Sequence, residues 1–241
     1  MEKVIKTVLE WGSPNYLKND ADAFASLKEI MKKENLPTSD DDINKFLAEQ
    51  TLTYQKHIDH YWLLTDLMQD FKTTSQLYFL NLELTKRADD AGRKLDRQSH
   101  LRIHLILAVI NYAKLVEIID SYGKDRLDLN DPDLFAKISK LKLLIEKSGL
   151  YKYRSTYIAH ALVKERGNSF ALHYKDGIES IKKIFSTLIE KDPAQLNLDG
   201  DVNDFFLKIY NGTDKSSVVY LIHDLKERIR SVKLHGYNIM R

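Results

Sequence analysis

The chain has 241 residues, enough for one large domain or two small ones, and its 43% hydrophobic and 30% charged content excludes a disordered chain. No apolar run approaches the roughly 18 residues that span a bilayer, and the absence of cysteine excludes disulfides and zinc–thiolate sites. A net charge of +2 gives no global attraction to polyanions, so a nucleic-acid site has to be a local patch.

The 9 glycines and 4 prolines fall between apolar-periodic segments, which favours long helices over strands. Residues 1–11 suit a short helix with Val4, Ile5, Val8, Leu9 and Trp11 as its apolar set, broken by Gly12-Ser13-Pro14-Asn15. The first residues lack the apolar core and cleavage site of a signal peptide, so a cytoplasmic location is the expectation. A helix from about Asp20 to Asn35 carries Phe24, Leu27, Ile30 and Met31, and Pro37 ends it. Ser39 followed by Asp40-Asp41-Asp42 is a capped, acidic helix start. From there Ile43, Leu47, Tyr54, Ile58, Tyr61, Leu64 and Met68 recur at helical spacing and predict one long amphipathic helix toward Lys86, with Thr51 and Thr73-Thr74 as places where it bends.

Lys86, Arg87, Arg93, Lys94, Arg97 and Arg102, interspersed with Asp89, Asp90 and Asp96, read as a solvated helix end or as phosphate contacts. The helix from about Gln98 to Tyr122 is apolar on nearly every face and is expected at the buried centre of a bundle. Asp131-Pro132 starts the next helix, with Leu134, Ile138, Leu141 and Ile145 as its stripe and Gly149 as its C-terminal cap. A helix from about Tyr151 to Glu165 is expected after it. Further helices are expected with Ile178, Ile181, Phe185, Leu188 and Ile189, then over 201–210, then with Val218, Ile222, Leu225, Ile229 and Val232. There is no repeat, low-complexity tract or linker. The expectation is a single all-α domain over 1–241, a bundle of about eight helices with its core at about 40–190 and the helices of 200–235 packed on it.

The chemistry points to one stretch, Tyr151 to Leu162, which holds Arg154 and His160. Arginine offers fixed donors and a permanent charge to phosphate oxygens. Histidine exchanges a proton near neutral pH. RNA brings its own nucleophile, the 2′-hydroxyl, so this pair is close to a minimal kit for metal-free RNA cleavage. On a regular α-helix, six positions separate the two side chains by about 120° and about 9 Å. They then need an irregular helix start, or a second copy of the pair, to share one ligand. On the same helix Tyr157 and Lys164 would flank His160 and complete a polar strip.

Arg154-Ser155-Thr156-Tyr157-Ile158-Ala159-His160 resembles the R-x(4–6)-H motif of the HEPN superfamily, in its bacterial toxin and abortive-infection forms. The resemblance implies a helical HEPN-like core and a metal-independent endoribonuclease without cofactor. It implies Arg154 and His160 as the catalytic pair and Ser155 at the polar position after arginine, where Asn, Asp or His is commoner. With Tyr157 and Lys164, Ser155 makes up the expected substrate-binding set. Glu117 and Asp120 stand as candidates for the acidic position that some members carry upstream. The resemblance also implies RNA as substrate, a homodimer that sets two motifs face to face, an antitoxin or other partner protein, and a role in toxin–antitoxin or phage-defence systems.

Two other readings stay open. In the first, Arg154 pairs with an acidic side chain and His160 is structural, which makes the chain a non-catalytic interaction module. In the second, His100 and His104, four apart on one helical face, are ligands of a metal completed from other helices. His57 and His60 fit a polar face or a core position. The tyrosines at 151, 153 and 157, interleaved with Lys152 and Arg154, suit either base stacking or helix packing.

Overall fold

The computed structural model describes Val4 and residues 20–86, 91–123, 131–158, 162–165, 168–171 and 174–234; for 85–86, 91–100, 162–165, 168–171, 174–175 and 198–199 the backbone alone is described. The fold is all-α. Among the described residues there are eight helices: α1 (Ala21–Lys33), α2 (Asp40–Lys86), α3 (Ala91–Tyr122), α4 (Pro132–Lys147), α5 (Leu150–Tyr153), α6 (Tyr174–Leu188), α7 (Leu198–Ile209) and α8 (Val218–Val232). One short antiparallel hairpin interrupts them, β1 (Leu162–Glu165) against β2 (Asn168–Ala171), in the register Leu162 to Ala171 and Glu165 to Asn168. No helix among the described residues is long and apolar enough to cross a membrane.

The chain forms two compact units, Met1–Leu63 with Leu225–Arg241, and Leu64–Asp224. In the first, Val4, Leu27, Met31, Ile43 and Leu47 make a core with Phe24, Ile30 and Phe46 packed against it. Its helix starts are set locally. The Asp20 carboxylate accepts from the N–H groups of Asp22 and Ala23 at 3.1 and 3.0 Å. The Ser39 hydroxyl accepts from the Asp42 N–H at 3.1 Å. Both supply acceptors to otherwise orphaned first-turn donors. His57 and His60 are buried, and Lys226, also buried, lies 4.8 Å over the Tyr61 ring and 3.0 Å from Glu227.

α2 runs unbroken through Thr51 and Thr73-Thr74. The hydroxyls of Thr51 and Thr74 bond back to the carbonyls of Leu47 and Asp70, both at 2.7 Å, which satisfies them without ending the helix. The expected stripe needs adjustment along its length. Tyr54, Ile58 and Met68 are half-buried, whereas His57, His60, Leu67, Phe71, Thr74, Ser75 and Tyr78 carry the buried face onward.

In the second unit α3 lies antiparallel beside α2. Lys114 meets Asp70 at 3.5 Å, Asn111 donates to Thr74 at 3.3 Å, and Asn81 pairs with His104 at 2.7 Å. Leu105, Ala108, Val109, Tyr112, Leu115, Val116 and Ile119 are buried, but Ile103 and Leu107 are exposed. The helix expected to be enclosed therefore has an open, apolar side. The centre of this unit is aromatic. Tyr78 stacks on Phe206 with centroids 4.0 Å apart, and Phe205 meets Phe206 and Phe185 edge-on at 5.2 and 4.6 Å. Burial pushes the Tyr112 phenol well above its usual range, so it stays neutral and packs as an apolar ring. Ser75 donates to the Phe206 carbonyl at 2.9 Å, and Tyr78 to Asn203 at 2.5 Å.

Candidate functional site

α4 begins where expected. The Asp131 carboxylate caps the Leu134 N–H at 3.0 Å and Pro132 occupies the first turn. It ends at Ser148 and Gly149, and Gly149 has φ +78°, a left-handed conformation that glycine adopts without a Cβ penalty. The Ser148 hydroxyl donates to the Ile145 carbonyl at 2.7 Å and accepts from the Leu150 N–H at 3.2 Å, so the chain leaves α4 and re-enters a helix without losing hydrogen bonds.

Beyond Gly149 the chain departs from the expected helix of 151–165. α5 is a single turn, Arg154–Ile158 is a π-helical turn, and Leu162–Glu165 is β1. Two contacts favour the wide turn. The Ser155 hydroxyl bonds back to the Lys152 carbonyl at 3.1 Å, competing with the regular ladder. The Tyr157 ring stacks on Tyr153 at 5.2 Å and 24° and lies against Gly177 of α6, where an added Cβ would come 3.3 Å from the ring. Aromatic stacking and a missing side chain thus seat Tyr157 sideways.

Arg154 is half-exposed, and its Nη1 donates to Glu117 of α3 at 2.7 Å, with side-chain exposures of 41% and 56%. An exposed pair of this kind contributes about 0–1 kcal/mol, so it orients the guanidinium without locking it. Tyr151 sits beside the pair. Burial first, then Glu117, Asp120 and Glu146, raise its phenol above the usual value, with Arg154 opposing. Lys142 donates to Asp120 and lies 3.6 Å from Glu146, and the Asp120 hydrogen bond raises its pKa. Around Tyr151, Glu117, Asp120 and Glu146 thus stand with Arg154 and Lys142. No family model, no curated protein and no solved structure matches the chain. The site rests on its own geometry.

Of the sequence-predicted residues, Arg154, Ser155 and Tyr157 share the π turn, and Ser155 is exposed. His160 lies outside the described residues. Lys164 is in β1, so the α-helical spacing that set it one turn beyond His160 does not hold, and the strip of Arg154, Tyr157, His160 and Lys164 is not formed on an α-helix. The backbone over Arg154–Ile158 is a π turn in place of the regular helix on which the 120° offset was reckoned. Tyr153 is 6% exposed. Burial raises its phenol, with Arg102 opposing and Tyr157 adding, and its ring is closed to base stacking. Of the two histidines offered as metal ligands in the alternative reading, His104 is buried between Asn81 and the edge of Tyr78, and the His100 side chain lies outside the described residues. Of the basic set, Arg102 alone has a described side chain clear of the helix end, and it is exposed.

Glu117 is the residue whose role sequence spacing could not fix. It stood with Asp120 as an acidic candidate, and the structure gives Glu117 to Arg154 and Asp120 to Lys142. Elsewhere, a cavity of about 440 Å³ is lined by Glu190, Lys191, Asp204, Lys208 and Asp214, among others. There Lys140 and Lys208 already pair with Glu190, and none of the predicted site residues lines it.

Proposed function

We propose that the chain is a HEPN-like, metal-independent endoribonuclease that acts in the cytoplasm in a toxin–antitoxin or phage-defence system. His160 acts as general base on the 2′-hydroxyl or as general acid on the departing 5′-oxygen; the 2′-oxygen attacks phosphorus as the bond to the 5′-oxygen breaks, and water exchanges the other proton. Arg154 holds and neutralises the phosphate, Ser155, Tyr157 and Lys164 line its approach, and the products are 2′,3′-cyclic phosphate and 5′-hydroxyl ends. The single observation that supports this reading is Arg154 itself. Its half-exposed guanidinium stands on a π turn, an irregularity frequent at functional sites, and faces a carboxylate that an RNA phosphate can replace. A homodimer and a cognate partner protein belong to the same reading. The test is RNA cleavage by the purified protein in EDTA. Wild type should cleave, whereas Arg154→Ala and His160→Ala should each lose at least ~100-fold, the usual scale of general acid–base catalysis. Cleavage unaltered by His160→Ala overturns the mechanism.

A second reading has its own observation. Arg154 is paired within the chain, and Tyr157 is packed on Tyr153 and Gly177, as expected of a non-catalytic interaction module. That reading predicts no cleavage by wild type and a lowered melting temperature for Arg154→Ala.

A further inference from the structure

Five large apolar side chains stand in solvent on one side of the second unit. Leu77, Leu80 and Leu84 of α2 are 41%, 56% and 59% exposed, and Ile103 and Leu107 of α3 are 53% and 38% exposed. The pairs Asp70–Lys114, Thr74–Asn111 and Asn81–His104 fix the antiparallel register. That register sets Leu77 level with Leu107, and Ile103 between the levels of Leu80 and Leu84. The spacings 77, 80, 84 and 103, 107 place each set on one face of its helix. The five therefore form one contiguous patch, of the order of a few hundred Å² and comparable to the largest patch on a typical monomer. Leu143 and Leu207, exposed singly elsewhere, call for no such account.

We propose that this outer face of the α2–α3 pair is where a second copy of the chain docks, the two helix pairs forming a four-helix layer. Three features select that occupant. Two adjacent helices with apolar residues at three- and four-residue steps present ridges and grooves that fit other helices. The margins are self-complementary: Asp66, Asp70 and Glu83 lie on α2, Arg102 and Lys114 on α3, and all five are exposed. A twofold axis parallel to the helices lays α2 of one copy along α3 of the other at the same level, which brings Asp70 toward Lys114 of the second copy. The acidic margin of α2 also repels anionic lipid and RNA. With half-buried Ile110 and these charged margins added, the face has room to reach the ~800 Å² per partner of a stable interface.

The inference deepens the dimer of the proposed function by assigning its face, and it is read without RNA, so its failure leaves the EDTA cleavage test untouched. Light scattering on the eluting protein should give twice the 28.1 kDa chain mass. Leu80→Glu with Ile103→Glu should weaken dimerisation at least ~100-fold while leaving helical circular dichroism unchanged, since both side chains are exposed. Should the double variant fail to fold, the cysteine-free chain supplies a second measurement. Mixing a Leu77→Cys copy with a Leu107→Cys copy should yield a mixed disulfide dimer under mild oxidation, and its absence overturns the face. A monomeric wild type overturns it too, as does a dimer indifferent to the glutamates. So does a monomer that binds phosphatidylglycerol vesicles through these leucines.

Discussion

The second unit holds two neighbourhoods built from tyrosine, charge and a nearby α3, and they behave oppositely. Around Tyr78 the rings are stacked and enclosed, and the polar groups pair inside the unit: Ser75 on Phe206, Tyr78 on Asn203, Asn81 on His104. Around Arg154 the rings close only one side. Tyr153 is buried under Tyr157, while Arg154, Glu117 and Ser155 remain open to water. The first arrangement derives its stability from area and shape. The second keeps a cation oriented at little cost, because an exposed ion pair exchanges readily for another anion. A ligand site needs the second kind.

The comparison can be broken at its strong end first. Phe206→Ala should cost about 3–5 kcal/mol, the usual range for a fully buried aromatic, read as a fall in the midpoint of denaturant unfolding; a cost under 1 kcal/mol would dissolve the distinction. Gly149→Ala should cost about 1–2 kcal/mol, because a Cβ is strained at φ +78°, with no such cost expected at a glycine outside the left-handed region such as Gly212. Glu117→Gln should change stability by no more than about 1 kcal/mol, and a double-mutant cycle with Arg154→Ala should give a coupling of that size. A coupling well above it would make the pair a structural lock rather than an exchangeable contact.

A pH measurement sharpens the contrast. Asp201 of α7 is buried, pairs with Lys191 at 2.6 Å and accepts the Asn197 N–H at 2.6 Å. The Lys191 hydrogen bond, then the Asn197 N–H, hold its carboxyl below the usual range. A depressed carboxylate contributes stability that is present above its unfolded value, about 3.9, and lost as pH falls through the folded value. Unfolding free energy should therefore drop below about pH 4, and Asp201→Asn should flatten that part of the profile. An unchanged profile would show that the carboxylate is not held in the folded state.

The helices were legible because their signals are local. Asp131-Pro132, Ser39 with Asp42, and the stripe ending at Val232 each act within a turn or two of the residue that carries them. α3 was legible as a helix and not as an interior one, since nearly uniform apolarity does not say which face meets a neighbour; Ile103 and Leu107 face water. Most of the site was out of reach for the same reason. The π turn depends on Gly177 leaving room for Tyr157, twenty positions along the chain, and Arg154 depends on Glu117, thirty-seven positions back. Neither spacing carries a period. The pattern Arg154 to Ile158 matched helix composition, so the change to β1 beyond it left no trace in propensity.

The π turn at Arg154–Ile158 also bears on how the chain tolerates changes in length. Such a turn holds one residue more than an α turn. Removing Thr156 alone would let it relax to regular pitch, with the missing residue absorbed inside the turn. The same deletion within α3 would rotate everything beyond it by about 100° and take the buried face out of the core. Between these two helical segments, Arg154–Ile158 is the one with slack, where a single-residue insertion or deletion can adjust the reach of the guanidinium while the bundle keeps its register.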